Sequence, residues 1–145
     1  MADRLKNNRQ VSHAEAVVYL FSPFFVFMFQ RIVPALTVHH LGKTQAFYRD
    51  MLGFEIRHLG YMFYAKRNDI EIQFSEVLPG RKIMPSELIF YVDDMEEWYA
   101  QLSGLNLVIP KGALKPLPYL PREFHIFDIN QHLLRFRQAS PHTGR

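Results

Sequence analysis

The sequence predicts an α+β domain built from two copies of a βαβββ module. Strand-like and helix-like segments follow each other in the same order twice along the chain. Aligning Val38 with Val92 also sets Tyr48 against Leu102, ten residues on in both copies. Of the 145 residues, 48% are hydrophobic, which is enough to build a core. An unrelated α+β domain with two helices is the alternative.

The first copy, residues 30–76, contains a strand, a helix and three further strands. RIVPALTV is apolar and β-branched, which is typical of a buried strand. Apolar residues in HHLGKTQAFYRDMLG then recur at helical spacing, and Gly53 is expected to end this helix. FEIRHLG, YMFYAKR and DIEIQFSE are predicted as three short strands, joined by tight turns that Gly60 and Asn68-Asp69 favour.

The second copy, residues 86–138, repeats this order. SELIFYV is predicted as a strand, DDMEEWYAQLSG as a helix and LNLVIP as a further strand. A Pro-rich loop follows, and EFHIFDI and HLLRFRQ then form a closing hairpin. Within this hairpin, Asp128 is expected to form the turn. Arg122 and Glu123 point to opposite faces and are expected to make structural salt bridges.

Tails flank the two modules: an apolar extension over residues 1–29 and a short tail over residues 139–145. The extension includes AVVYLFSPFFVFMF, which is interrupted by Pro23 and lacks a small-x-small cleavage site. It is shorter than the roughly 20 residues that a membrane-spanning helix needs. We therefore expect it to cover an apolar surface of the domain or of a partner subunit. A secretory or anchoring segment is the alternative.

Composition excludes several classes of function. The net charge of +3 arises largely in the tails, because residues 28–138 hold 13 basic and 12 acidic side chains. Without a basic cluster on one element, no nucleic-acid partner is expected. The chain has no cysteine, which excludes disulfides and thiolate chemistry and suits the cytoplasm. No catalytic triad spacing, phosphate loop or glycine fingerprint is found, so no catalytic residues are predicted.

Four stretches together resemble the vicinal oxygen chelate superfamily and, within it, the bleomycin resistance proteins. They are VPALTVHHLGKTQAFYRDMLGFEI, NDIEIQF, ELIFYVDDMEEWYAQL and REFHIFDINQHLLRF. The resemblance covers about residues 30–138. It implies that eight strands from the two modules curl into an open cup. It also implies a homodimer with ligand sites in grooves near the interface.

The resemblance also bears on metal binding, because metal-dependent members of the superfamily place one ligand on each of four strands. The matching positions here are Val33, Glu71, Glu87 and Arg135. Valine has no donor atom, and a guanidinium repels a cation, so this set is not expected to hold a metal. The adjacent His39-His40 pair is expected to lie on the surface, since neighbouring side chains diverge.

Strand alternation identifies the side chains that face the inside of the cup. Polar and aromatic residues on this face give a mixed surface that suits an amphipathic organic ligand. The predicted ligand-binding residues are Tyr64, Glu71, Gln73, Glu87, Tyr91 and Arg135. The structural alternative is that Arg135 only neutralises the two glutamates.

These observations predict a metal-free and cofactor-free binding protein that sequesters a small aromatic or amphipathic molecule, with a bleomycin-type antibiotic as the ligand that the resemblance implies. One alternative is a vicinal oxygen chelate metalloenzyme, such as a glyoxalase-like lyase or an extradiol dioxygenase. Another is an interaction domain whose apolar N-terminal segment docks on a partner. No membrane partner is expected.

Overall fold

The computed structural model describes residues 29–109 and 122–140. Its elements are β1 (Ala35–Val38), α1 (Leu41–Ala46) continued by a π-helix (Phe47–Met51), β2 (Glu55–Leu59), β3 (Met62–Arg67), β4 (Ile70–Glu76), β5 (Glu87–Val92), α2 (Met95–Gly104), β6 (Glu123–Phe127) and β7 (Leu133–Gln138). In this part of the chain, no helix is long and apolar enough to cross a membrane. Predictions on residues 1–28, the Pro-rich loop and residues 141–145 fall outside the described residues.

The strands form two sheets with matching connectivity. The first sheet has the order β1-β4-β3-β2, and the second has the order β5-β7-β6. In each sheet the strand that precedes the helix runs parallel to the last strand of the module, and the other pairs are antiparallel. The predicted α+β class is thus confirmed, and so is the duplicated element order, apart from one strand of the second module.

The predicted strand LNLVIP is wrong within the described residues, where it is reduced to a single bridge between Val108 and Ile126. The described part therefore has seven strands rather than eight. Asn106 adopts a left-handed conformation with φ 56°, which turns the chain directly after α2. Up to Ile109, where the described segment ends, this stretch contacts β6 through the bridge and through a 2.9 Å hydrogen bond from the Ile109 amide to the His125 carbonyl.

The first predicted strand, RIVPALTV, is longer than the observed β1, which covers only Ala35–Val38. β1 begins directly after Pro34, whose carbonyl accepts from the amide of Gln73 at 2.9 Å but which has no N–H to donate. The glycine signals at two other element ends are confirmed. Gly53 follows the first helix with φ +68°, and its amide donates to the Arg49 carbonyl at 3.1 Å. Gly60, at φ +60°, forms the turn between β2 and β3.

The core lies between the helices and one face of each sheet. Alternation along the strands buries the side chains predicted to face the helices, among them Ile72, Phe74, Phe90, Val92, Leu134 and Phe136. Ile70 is an exception, since it begins β4 and remains 37% exposed. The buried residues of both modules belong to one continuous hydrophobic cluster. The opposite faces of the sheets carry the polar side chains.

A buried polar link joins the modules at the β6–β7 turn. Asp128 accepts hydrogen bonds at Oδ1 from the amides of Asn130 (2.8 Å) and His132 (2.9 Å), so the predicted turn-forming role is confirmed. Its Oδ2 accepts from the hydroxyl of Tyr48 at 3.1 Å. Burial first, and the neighbouring carboxylate second, raise the pKa of the Tyr48 phenol well above its usual range. Tyr48 therefore remains a donor.

His132 forms a second link between the modules and is fully buried. Its Nδ1 accepts from the amide of Ser86 at 2.9 Å, and its Nε2 lies 2.9 Å from the carbonyl oxygen of Thr37. Because a carbonyl only accepts and an amide only donates, these partners require a neutral ring protonated at Nε2. The ring thus joins β1 of the first module to the start of β5 in the second.

Candidate ligand-binding site

The polar face of the second sheet is organised around the guanidinium of Arg135. Its Nη1 donates to Glu87 Oε1 at 2.5 Å, and its Nη2 donates to Glu123 Oε1 at 2.6 Å. The parallel pairing of β5 with β7 and the antiparallel pairing of β6 with β7 place these three residues on one face. The cation is therefore held between two carboxylates from neighbouring strands.

Glu123 is the central acceptor of this face. It accepts from Arg137 Nε at 2.5 Å and contacts His125 Nε2 at 2.8 Å, in addition to Arg135. Burial favours the neutral acid and raises its pKa, but the hydrogen bonds from Arg137, His125 and Arg135 outweigh burial and lower the pKa of Glu123 to about 2. The carboxylate thus stays ionised at neutral pH and anchors both arginines.

The polar face of the first sheet has a different chemistry. The hydroxyl of Tyr64 donates to Gln73 Oε1 at 3.0 Å, and the Arg57 guanidinium lies 5.2 Å above the Tyr64 ring. Arg57 also forms an ion pair with Glu71 at 3.4 Å. The cross-strand pairs Arg57–Tyr64 and Tyr64–Gln73 align these groups across three strands. This face presents the phenol of Tyr64, the amide of Gln73 and the carboxylate of Glu71.

The six predicted site residues thus fall into two groups, one on each sheet. Tyr64, Glu71 and Gln73 lie on the first sheet, and the other three lie on the second. Tyr91 is 60% exposed, and its side chain interacts with the guanidinium of Arg137. The structural alternative, in which Arg135 neutralises both Glu71 and Glu87, is correct for Glu87 and wrong for Glu71. Arg135 pairs with Glu87, whereas Glu71 pairs with Arg57.

The four positions that the resemblance assigns to metal ligands do not form a suitable donor set. Val33 precedes β1 and carries no donor atom. Arg135 is a cation that two carboxylates already engage, and one of them is Glu87, a second member of the set. Across residues 29–109 and 122–140, no three His, Asp or Glu side chains are grouped so that they could hold a metal ion. The residues present therefore do not fit a bound metal.

Three other polar residues that the sequence singled out, His39, His40 and Arg122, have structural roles. His39 and His40 are exposed at the start of α1, as predicted, and the His40 carbonyl accepts from the Thr44 hydroxyl at 2.8 Å. Arg122 forms a 2.5 Å ion pair with Glu96 on the surface, which confirms the expected structural salt bridge. These residues lie outside the two polar faces.

Three features of the structure were not predicted from the sequence. They are the contact of Arg57 with Tyr64, the role of Glu123 as the shared acceptor of two arginines, and the contact of Arg67 with Trp98. Arg57 had a usable signal, because the tight turn at Gly60 fixes the β2–β3 register and places Arg57 opposite Tyr64. Glu123 had a similar signal, because the predicted closing hairpin brings it opposite Arg137 and near Arg135. Arg67 and Trp98 lie in different modules, and the sequence has no spacing rule for such a contact.

Comparisons with known proteins identify the fold. A bleomycin resistance determinant encoded on the transposon Tn5 superimposes with a TM-score of 0.65 at 21% identity, over 78% of this chain and all of that one. A bleomycin-binding protein complexed with bleomycin gives 0.65 at 21% identity, over 77% and 100%. Lactoylglutathione lyase from Agrobacterium tumefaciens gives 0.61 at 19% identity, over 77% and 96%. No protein-family model and no curated protein matches the chain.

Proposed function

We propose that this chain, which has the fold of the vicinal oxygen chelate superfamily, is a metal-free antibiotic-binding protein of the bleomycin-resistance type. It acts by sequestration, in the cytoplasm and as a homodimer. Sequestration requires only that the affinity and the protein concentration exceed what is needed to deplete the free drug. No bond has to be broken, which agrees with the lack of a recognisable catalytic motif in the sequence.

The observation that carries this proposal is the position of the Arg135 guanidinium. Arg135 occupies a position that the resemblance assigns to a metal ligand. Its hydrogen bonds engage Oε1 of Glu87 and Oε1 of Glu123, so these oxygens are not available to an ion. Charges within this face are balanced by one another. A metalloenzyme of this superfamily, such as a lyase, would need a donor at this position, and the proposal of binding alone does not.

The surface for the ligand is the polar face of the first sheet together with that of the second. Tyr64 and Tyr91 supply aromatic area, and Gln73, Glu71 and Glu87 supply acceptors. Aromatic side chains with a polar tip suit a ligand that has both planar and hydrogen-bonding parts. The solved complex of a bleomycin-binding protein with bleomycin shares this fold and supports an antibiotic as the ligand.

A thermal-shift screen of the full chain against bleomycin-type and other amphipathic aromatic antibiotics tests the proposal. We expect at least one of them to raise the unfolding temperature, followed by saturable binding in calorimetry. Replacing Tyr64 with alanine should weaken that binding by about tenfold, because a stacked aromatic side chain contributes on the order of 1 kcal/mol beyond its buried area.

Tyr61 provides the matched control. It is the same residue type, lies at the β2–β3 turn and is 73% exposed. Tyr61→Ala should leave the affinity unchanged. If no compound in the screen stabilises the protein, or if both tyrosine variants weaken binding equally, the proposed function is wrong.

A further inference from the structure

A second candidate site lies where the two modules meet. A cleft of about 450 Å³ is lined by residues of both modules, and its walls are mainly apolar and aromatic. The apolar lining consists of the buried residues Leu52, Phe54, Phe90 and Phe136, which form the floor, and of the partly exposed Ile70 and Trp98. Small organic ligands occupy cavities of about 300 to 1,000 Å³ with predominantly apolar walls. The cleft has both the size and the lining of such a cavity.

Aromatic side chains of both modules form the floor of the cleft. Inside the second module, the rings of Phe124 and Phe136 stack at 4.9 Å with an angle of 3° between their planes. Between the modules, the Phe54 and Phe90 ring centroids are 6.4 Å apart. Phe90 also contacts Phe136, with ring centroids 5.4 Å apart, so the three rings form a continuous aromatic floor. A flat aromatic molecule can lie over this floor, beside the partly exposed Trp98 and Ile70.

One cation stands in the wall of this cleft. Arg67 ends β3, and its guanidinium carbon lies 4.5 Å from the centre of the Trp98 ring on α2. The same guanidinium donates to the Leu52 carbonyl. A Cβ at Gly53 would approach Arg67 Nη1 to 2.9 Å, so glycine at that position leaves the space that the guanidinium occupies. These contacts hold Arg67 in a defined place.

The guanidinium of Arg67 has donors and a charge available to a ligand. Among the described residues, no carboxylate lies within ion-pair distance of Arg67, and its one side-chain hydrogen bond goes to the neutral Leu52 carbonyl. A guanidinium carries five N–H donors in a planar fork that matches a carboxylate. Most of these donors remain for a ligand. Asp93 also lines the cleft and disfavours a second negative group on that ligand.

We propose that this cleft binds a planar aromatic molecule that carries one carboxylate. The ring lies against the aromatic walls, and the carboxylate accepts hydrogen bonds from Arg67. This site is distinct from the polar sheet faces assigned to the antibiotic, although Tyr91 borders both. It therefore extends the function of the chain to a second class of small molecule.

Trp98 provides a direct probe, because it is the only tryptophan in the sequence. In a proton–nitrogen correlation spectrum of the full chain, the single indole N–H signal therefore reports on the cleft. We expect titration with 2-naphthoate to shift this signal in a saturable way. The neutral isostere 2-naphthamide should bind about tenfold more weakly, because it forgoes a charge-assisted pair with the guanidinium.

Substitution of Arg67 tests the role of its charge. Arg67→Gln should weaken 2-naphthoate binding by about tenfold, to the level of the amide, and should leave amide binding unchanged. Arg49→Gln is the matched control, since Arg49 is an exposed arginine paired with Asp50 on the first helix. It should alter neither affinity.

Three outcomes would overturn the inference: no shift of the indole signal with millimolar 2-naphthoate, equal affinity of the wild-type protein for acid and amide, or equal losses in both arginine variants. The acid–amide comparison uses only the wild-type chain and stands even if Arg67→Gln fails to fold. Naphthoate binding that persists in Tyr64→Ala separates this site from the antibiotic surface, so either proposal can fail alone.

Discussion

Glu123 is the residue whose loss should most disturb the polar face of the second sheet. Only 18% of its side chain is exposed, and it anchors Arg135, Arg137 and His125. Glu123→Gln preserves the size of the side chain and removes its charge. Both arginines then lose a charge-assisted partner in a partly buried position, which is more costly than the loss of an exposed pair.

The magnitude follows from the pKa of this carboxyl. It falls from an ordinary 4.5 to about 2, which at about 1.4 kcal/mol per pKa unit corresponds to about 3 kcal/mol of preference for the ionised form. Solvent screening at this partly open face reduces that figure, and we expect a loss of about 2 kcal/mol in the free energy of unfolding at pH 7. Urea unfolding followed by circular dichroism measures it.

The effect of pH has a definite sign. Because the folded-state pKa lies below the unfolded one, the folded state holds the ionised form more tightly, and this stabilisation is fully present above about pH 4.5. It is lost as the pH falls toward about 2. The difference between wild type and Glu123→Gln should therefore shrink, to less than about half its neutral value at pH 3.

Glu96 offers the matched control. It forms a 2.5 Å ion pair with Arg122, but 60% of its side chain is exposed. Exposed pairs of this kind contribute about 0 to 1 kcal/mol, so Glu96→Gln should cost little at any pH. The reasoning is refuted if the two variants are equally destabilised at pH 7, or if the cost of Glu123→Gln is the same at pH 3 as at pH 7.

Two further predictions concern the backbone at Gly53 and the two positions of the metal-ligand set, Val33 and Arg135, whose side chains cannot bind a metal. Gly53→Ala should destabilise the protein by about 1 kcal/mol more than Gly60→Ala, because both sites have positive φ but only the former also confronts a guanidinium; equal unfolding temperatures would contradict this. The double substitution Val33→His with Arg135→Glu should create a zinc site of about one ion per chain in calorimetry, since four donors suffice for zinc. Failure of a folded double variant to bind zinc would show that the four positions do not converge.

Much of the fold could be predicted because its signals are local. Turns at Gly60 and Gly53, the helix start at Asp94, whose side chain accepts from the Glu97 amide, and polar–apolar alternation along β4 and β7 all depend on neighbours in the chain. The strand expected at LNLVIP is replaced, within the described residues, by a turn at the left-handed Asn106 and a single bridge at Val108.

The site was less predictable because its contacts depend on tertiary structure. Alternation placed Glu87 and Arg135 on one face, yet the choice of Glu123 as the shared partner depends on the β6–β7 register. Likewise, Arg67 and Trp98 come from different modules. A single sequence contains no periodic signal for a contact between side chains of two modules.

The claim on which this account depends is that the protein binds its ligand without a metal. Calorimetric titration of the chelator-treated full chain with the antibiotic found in the thermal-shift screen, before and after adding one equivalent of zinc, tests that claim most directly. We expect the same affinity in both titrations and no heat from zinc alone. Ligand binding that is absent after chelation and restored by the ion would contradict it.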